Sequence, residues 1–130
     1  MAILGVTIIW GAFMAGMDAG LVSSNWPQMY EGVMIPDTVW GMSIGTFFNN
    51  PEIIHFTHRW IAVAALAMIA TFAWRAESMA LGGMIFFQFV LGILTIMSYV
   101  AIPVAAMHQA GALVLIALLL KDLYALRKTA

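Results

Sequence analysis

The chain has 130 residues, 64% of them hydrophobic and 8% charged, with a net charge of −1. A soluble domain carries about 25% charged residues, so this composition cannot cover a water-exposed surface, and the length allows one domain. The charge balance offers no basic patch to a phosphate backbone, which excludes nucleic acid as a partner, and the lack of cysteine excludes disulfides and thiolate ligation while leaving the redox compartment undetermined.

A membrane span needs about 20 mostly apolar residues. Residues 1–22 form the first candidate, with one charge, Asp18, near its far end. A secretory signal would begin with a basic stretch, whereas the first basic residue is Arg59, so this segment reads as a span. Residues 23–51 form a polar loop that carries Pro27, Glu31, Pro36, Asp37 and Asn49. Its aromatics Trp26, Tyr30, Trp40, Phe47 and Phe48 suit a membrane interface, and a short amphipathic or re-entrant piece fits there.

The second span covers residues 52–74, and the link with Arg75 and Glu77 follows. Residues 79–120 contain no Asp, Glu, Lys or Arg, a stretch too long for one span and suited to two. Proline ends a preceding helix, so the break is placed at Ile102-Pro103. The third and fourth spans are then 79–100 and 104–120, and residues 121–130 are a polar tail. The basic residues outside the spans are Arg75, Lys121, Arg127 and Lys128. Positive charge stays on the cytoplasmic side, so both termini face the cytoplasm and the loop faces out. The expected fold is all-α, an integral membrane antiparallel four-helix bundle in a prokaryotic plasma membrane or its equivalent.

Ionisable groups within spans are functional candidates by default. His58 lies about six residues into span two and His108 about five into span four, which at about 1.5 Å per residue gives nearly equal depth near the outer face. Three readings stay open on that spacing. The pair could be axial ligands of a haem iron. It could be half of a zinc site with His55 or Glu52 as a further ligand. It could be two separate histidines bonded to backbone carbonyls.

Arg59 suits the carboxylates of a cofactor, or it snorkels at a helix end. Gln109 is placed to hydrogen-bond within the bundle. His55 is a candidate proton relay, supporting group or spare ligand. Glu52 reads as a catalytic carboxylate or as a helix N-terminal charge. Asp18 could reach the same mouth. The small residues of span one, from Gly11 to Gly20, suit close helix packing or make room for a flat cofactor.

Four stretches together resemble the haem A synthase family. Gly11-Ala12-Phe13-Met14-Ala15-Gly16-Met17-Asp18-Ala19-Gly20 is similar to its G-A-x-V-A-G-x-D-A-G run. Trp26-Pro27-Gln28-Met29, with Ser24 and Asn25 before it and Ile35-Pro36 after, resembles N-T-W-P-L-M. Phe56-Thr57-His58-Arg59 resembles F-N-H-R, and His108-Gln109-Ala110-Gly111-Ala112-Leu113 resembles H-Q-A-G-A-L. Full-length members have two four-helix halves, and this chain is similar to the C-terminal one, which holds a b-type haem. The resemblance implies that His58 and His108 are the axial ligands of haem b iron, with Arg59 and Gln109 beside them. The other half, which carries a catalytic glutamate shortly before its own H-R, has no counterpart here. His55 stands three positions before His58 and Glu52 is the nearest glutamate, so these two are the catalytic candidates.

The implied function is oxidation of the methyl group of haem O to the formyl group of haem A. Iron with two protein ligands has no open position, so that reaction needs a second haem-sized site. A second copy of the chain would supply it, and a homo-oligomer in the lipid bilayer is expected, with the electron donor open. The alternatives are a b-type haem electron-transfer or accessory subunit of a respiratory membrane complex, and a membrane assembly protein without haem.

Overall fold

The computed structural model describes residues 2–129. Among them the regular elements are helical: α1 (Ala2–Gly16), α2 (Ile44–Asn49), α3 (Pro51–Arg75), α4 (Met79–Met97) and α5 (Ile102–Thr129), with one-turn 3-10 helices at Ala19–Leu21 and Asp37–Val39. Three of these helices, α3, α4 and α5, are long and apolar enough to cross a membrane. The chain is therefore an all-α membrane protein.

The helix ends follow local chemistry. Pro51 opens α3, where a missing N–H costs nothing. Asn50 caps it, its Oδ1 accepting from Glu52 N at 2.9 Å and Ile53 N at 3.4 Å. Ser78 caps α4 by accepting from Leu81 N at 3.4 Å. Both α3 and α4 stop in the same way, with a left-handed residue just past the end: Glu77 at φ 52 after α3, Tyr99 and Val100 at φ 54 and 58 after α4. The closing bonds are Ser78 N to Ala73 O and Val100 N to Thr95 O, which satisfy carbonyls that a helix end leaves bare.

Three boundaries differ from the sequence expectation. The first helix stops at Gly16 instead of running through residue 22, because Asp18 turns left-handed at φ 50 and the chain continues as a 3-10 turn. At about 1.5 Å per residue, α1 is roughly 22 Å long, short of a hydrocarbon core of about 30 Å. The third helix stops at Met97 and the break falls at residues 98–101, ahead of Pro103, which sits in the first turn of α5, where proline is tolerated. The fourth helix continues through the polar tail to Thr129, since Lys, Leu, Ala and Arg are good helix formers whatever their charge.

α3 packs on α1 and on α4, and α4 packs on α5. Leu4, Ala65, Ile69, Ala73, Leu81, Ile85, Leu115 and Leu119 form one buried apolar cluster. It gathers the C-terminal half of α3, the start of α4 and the middle of α5, so it closes one end of the molecule. Arg75 and Lys121 flank that end, while the N-terminal turns of α3 and α5 lie at the other. The outward faces carry Trp60, Met68, Phe86 and Leu113 as exposed side chains, which suits lipid.

The loop between α1 and α3 is ordered by its own contacts. The short α2 begins with a capping box between Ser43 and Thr46 and fills the place expected for a short interfacial piece. Phe47 and Phe48 pack against Trp10 of α1, with ring centroids 5.8 and 6.2 Å away. Gly20, in the 3-10 turn, lies where a Cβ would stand 2.8 Å from Val100 Cγ2, so a side chain there would push on the α4–α5 turn.

Candidate cofactor site

α1, α3, α4 and α5 line a partly open cavity of about 890 Å³ that reaches from the apolar cluster, at Leu4, Ala65, Ile85 and Leu115, to the histidines. Cofactor pockets measure about 300–1,000 Å³ and are mostly apolar with a few convergent polar groups. Here Ile8, Ala12, Ile93 and Leu113 supply apolar wall, and His55, His58, Arg59, Gln88 and His108 supply the polar groups.

The two histidines occupy equivalent settings. His58 stands in the second turn of α3, and a Cβ added to Gly11 of α1 would lie 3.5 Å from its Cε1. His108 stands in the second turn of α5, and a Cβ added to Gly92 of α4 would lie 3.1 Å from its Cε1. Each imidazole is thus backed by a glycine of the neighbouring helix. His58 Nδ1 is buried without a hydrogen-bond partner among the described residues.

His108 is held by Gln88, whose Nε2 donates to the His108 carbonyl at 2.7 Å and lies 3.3 Å from Nδ1. Gln88 is the functional candidate that sequence reasoning passes over. The signal was available: Gln88 and Thr95 are the only polar side chains in α4, and a lone amide in an apolar span has a partner to find.

The remaining candidates divide. His55 is fully buried and lines the cavity. Its ring lies beside the backbone of Ala19, yet neither nitrogen has a well-formed hydrogen bond among the described residues. Arg59 also lines the cavity, but its guanidinium turns to the loop. Nη1 donates to Gln28 O at 3.0 Å, and Nη2 donates to Ser23 O and Oγ at 3.3 Å. Its Cζ sits 5.7 Å from the centroid of Trp26, and Nε alone is buried without a partner among the described residues.

Glu52 does not line the cavity. Its carboxylate accepts from Tyr30 Oη at 2.5 Å and from Thr38 Oγ1 at 2.6 Å. Burial first, and then the bond to Glu52, push the Tyr30 phenol up to about 12. Gln109 is exposed at the cavity edge, and the glutamine that bonds between helices is Gln88. Asp18 is exposed and touches the cavity. No group of three or more His, Cys, Asp or Glu able to hold a metal ion occurs among the described residues, so the tetrahedral zinc reading lacks its ligand set.

The fold and the cavity define a helical membrane protein with an apolar, cofactor-sized pocket flanked by two imidazoles. The chain belongs to the COX15-CtaA family of cytochrome oxidase assembly proteins, which it matches over residues 1–120. It is 37% identical to the haem A synthase of Rhodospirillum centenum over 140 residues, covering 98% of this chain and 37% of that protein. It is 42% identical to the haem A synthase of Sphingopyxis alaskensis over 125 residues, covering 90% of this chain and 35% of the relative. It is 34% identical to haem A synthase COX15 of Arabidopsis thaliana over 139 residues, covering 97% of this chain and 30% of the relative. The chain thus spans about a third of the length of the curated relatives it matches. No solved structure matches it.

Proposed function

We propose that the chain holds a b-type haem between His58 and His108 and serves in the oxidation of the methyl group of haem O to the formyl group of haem A. One observation carries this reading: two imidazoles from separate helices, each backed by a glycine, line one apolar cavity of about 890 Å³. The unpartnered His58 Nδ1 fits a ring that meets its partner in a bound group. The names of the relatives, haem A synthases, favour this function over a purely electron-carrying subunit.

When bound, the iron would pass electrons. The chain's own residues do the rest. His58 and His108 would fix the group from two sides, and Ile85, Ile93 and Ile96 would keep water from it. Arg59 holds the loop over the cavity through Ser23 and Gln28, and Nε, buried without a partner among the described residues, is a donor free for a carboxylate. Of the two catalytic candidates, His55 is the one on the cavity, so it is assigned the proton-holding role. Glu52 serves by tying Tyr30 and Thr38 to the start of α3. Gln109 would act from the cavity rim.

An iron with two protein ligands has no open position, so the substrate needs a second pocket. A second copy of the chain would provide it. Of the glycines in α1 and α4, Gly11 and Gly92 face the histidines and Gly82 faces Ala73, whereas Gly5, Gly16 and Gly83 meet no described atom within 4 Å. These open positions suit close helix approach in lipid. α3, α4 and α5 would cross the bilayer, with α1 and the 3-10 turn after it entering beside α3 to complete an antiparallel bundle, the cavity toward the outer face and the basic residues Arg75, Lys121, Arg127 and Lys128 inside.

The test is pigment extraction from the purified chain, followed by incubation with haem O, dioxygen and an electron donor. Haem B in the preparation and haem A among the products support the reading. A preparation that holds no haem contradicts it, and one that holds haem B but never yields haem A confines it to haem binding.

A further inference from the structure

Gln88 is deeply buried, with 8% of its surface exposed, in a helix that offers it no partner of its own. Its amide is aimed across the α4–α5 interface at a single residue. Nε2 donates to His108 O at 2.7 Å and stands 3.3 Å from His108 Nδ1, a contact whose direction depends on the ring tautomer. The amide's other atom, Oε1, is buried with no hydrogen-bond partner among the described residues. Room for it comes from Gly111, where a Cβ would overlap Oε1 and lie 3.3 Å from Cδ. Two glycines therefore serve one arrangement. Gly92 lets the imidazole stand against α4, and Gly111 lets the amide stand against α5.

We propose that Gln88 is the positioning residue of His108, fixing its ring plane through the backbone carbonyl and the contact at Nδ1, and that Gly111 exists to seat the Gln88 amide. This deepens the haem-binding reading above and rests on it. A residue that contacts a metal-binding histidine orients its ring, and losing such a partner weakens binding. As seated, the amide turns its nitrogen to both His108 O and Nδ1 and its oxygen to Gly111, so it holds the ring by its place and not by accepting a proton from it.

The competing account is that Gln88 only staples α4 to α5 through the His108 carbonyl, as interhelical glue. A staple affects stability alone. A positioning residue also alters the spectrum and the potential of the bound haem.

The experiment uses the full chain in detergent, loaded with haem B. Haem affinity, the electron paramagnetic resonance spectrum of the ferric form and the midpoint potential are measured for wild type, Gln88→Leu, Gln88→Glu and Gly111→Ala. Losing such a partner typically costs about 10- to 100-fold in affinity, and that loss is expected for Gln88→Leu, with altered g-values and a shifted potential. Gln88→Glu removes the N–H that His108 O accepts and should not restore affinity. Gly111→Ala should resemble Gln88→Leu, and should add nothing further in the Gln88→Leu background.

Unchanged g-values and potential in a folded Gln88→Leu that only melts earlier would overturn the proposal in favour of the staple. Additive losses from Gly111→Ala and Gln88→Leu would overturn the role given to Gly111. If wild type fails to bind haem, or if His108→Ala binds it unchanged, the haem reading itself falls. If wild type binds normally and only the Gln88 effects are missing, that reading survives and this inference does not.

Discussion

Gly92 of α4 stands so close to His108 of α5 that a Cβ would lie 3.1 Å from the imidazole Cε1. The imidazole can occupy its place only because α4 has no side chain there. Overpacking such a contact costs about 1–3 kcal/mol, which corresponds to roughly 5- to 150-fold in binding. Gly92→Leu should therefore weaken haem binding by about that factor. Gly83→Leu, on a position with no described atom within 4 Å, should leave it unchanged. Haem titration of the two purified variants checks this, and equal behaviour of the two would contradict the packing role of Gly92.

Arg59 is buried at 5% exposure and gives its donors to Ser23 and Gln28 of the loop. A hydrogen bond to a charged group is worth about 1.5–3 kcal/mol. Arg59→Ala should therefore speed amide exchange across residues 23–30 by about 10- to 100-fold while α4 and α5 exchange as before. Hydrogen exchange with mass spectrometry reads this directly. Uniform acceleration through all the helices would mean instead that Arg59 supports the bundle as a whole.

The ends of α3 and the start of α4 are legible in the sequence because Asn50-Pro51 and Ser78 carry their own capping chemistry. That His58 and His108 reach one cavity is legible because both lie about two turns from the start of their helices. The end of α1 is not, since apolar composition runs on to Val22 and hydropathy does not register the left-handed turn at Asp18. Pro103 misleads in the same way, because proline breaks a helix interior but is at home in a first turn. The destination of the Arg59 guanidinium depends on how the loop folds back, which local pattern does not carry. Gln88 is passed over because it has no histidine beside it in the chain, as Gln109 has in His108, and its partner lies on another helix.

The Tyr30 phenol, bonded to Glu52, is pushed up to about 12 by burial and by that bond. An unfolded tyrosine loses its proton near about pH 10. The contribution to loop stability is therefore complete below about pH 10 and is lost as pH rises through about 12. Tyrosinate absorbance of the folded protein should show a late-titrating component that Tyr30→Phe removes and Glu52→Gln moves to lower pH. A late component that persists in Tyr30→Phe would assign it to another of the 3 tyrosines.

Arg75 and Lys121 flank the end closed by the apolar cluster, and the loop lies at the other. With positive charge held inside, a reporter fused at Lys128 should read cytoplasmic and one inserted at Asp37 should read external. The reverse at both sites would turn the molecule over and place the cavity toward the cytoplasm.

The most direct test of haem held by His58 and His108 is the absorption spectrum of the purified protein in three single variants, His55→Ala, His58→Ala and His108→Ala, with and without carbon monoxide. Wild type should carry a low-spin haem whose reduced spectrum is insensitive to carbon monoxide, as two nitrogen ligands leave no open position. His58→Ala and His108→Ala should each lose most of the bound haem, and His55→Ala should keep most of it. Loss of haem in His55→Ala with retention in His58→Ala, or a large carbon monoxide shift in wild type, would contradict the ligand assignment.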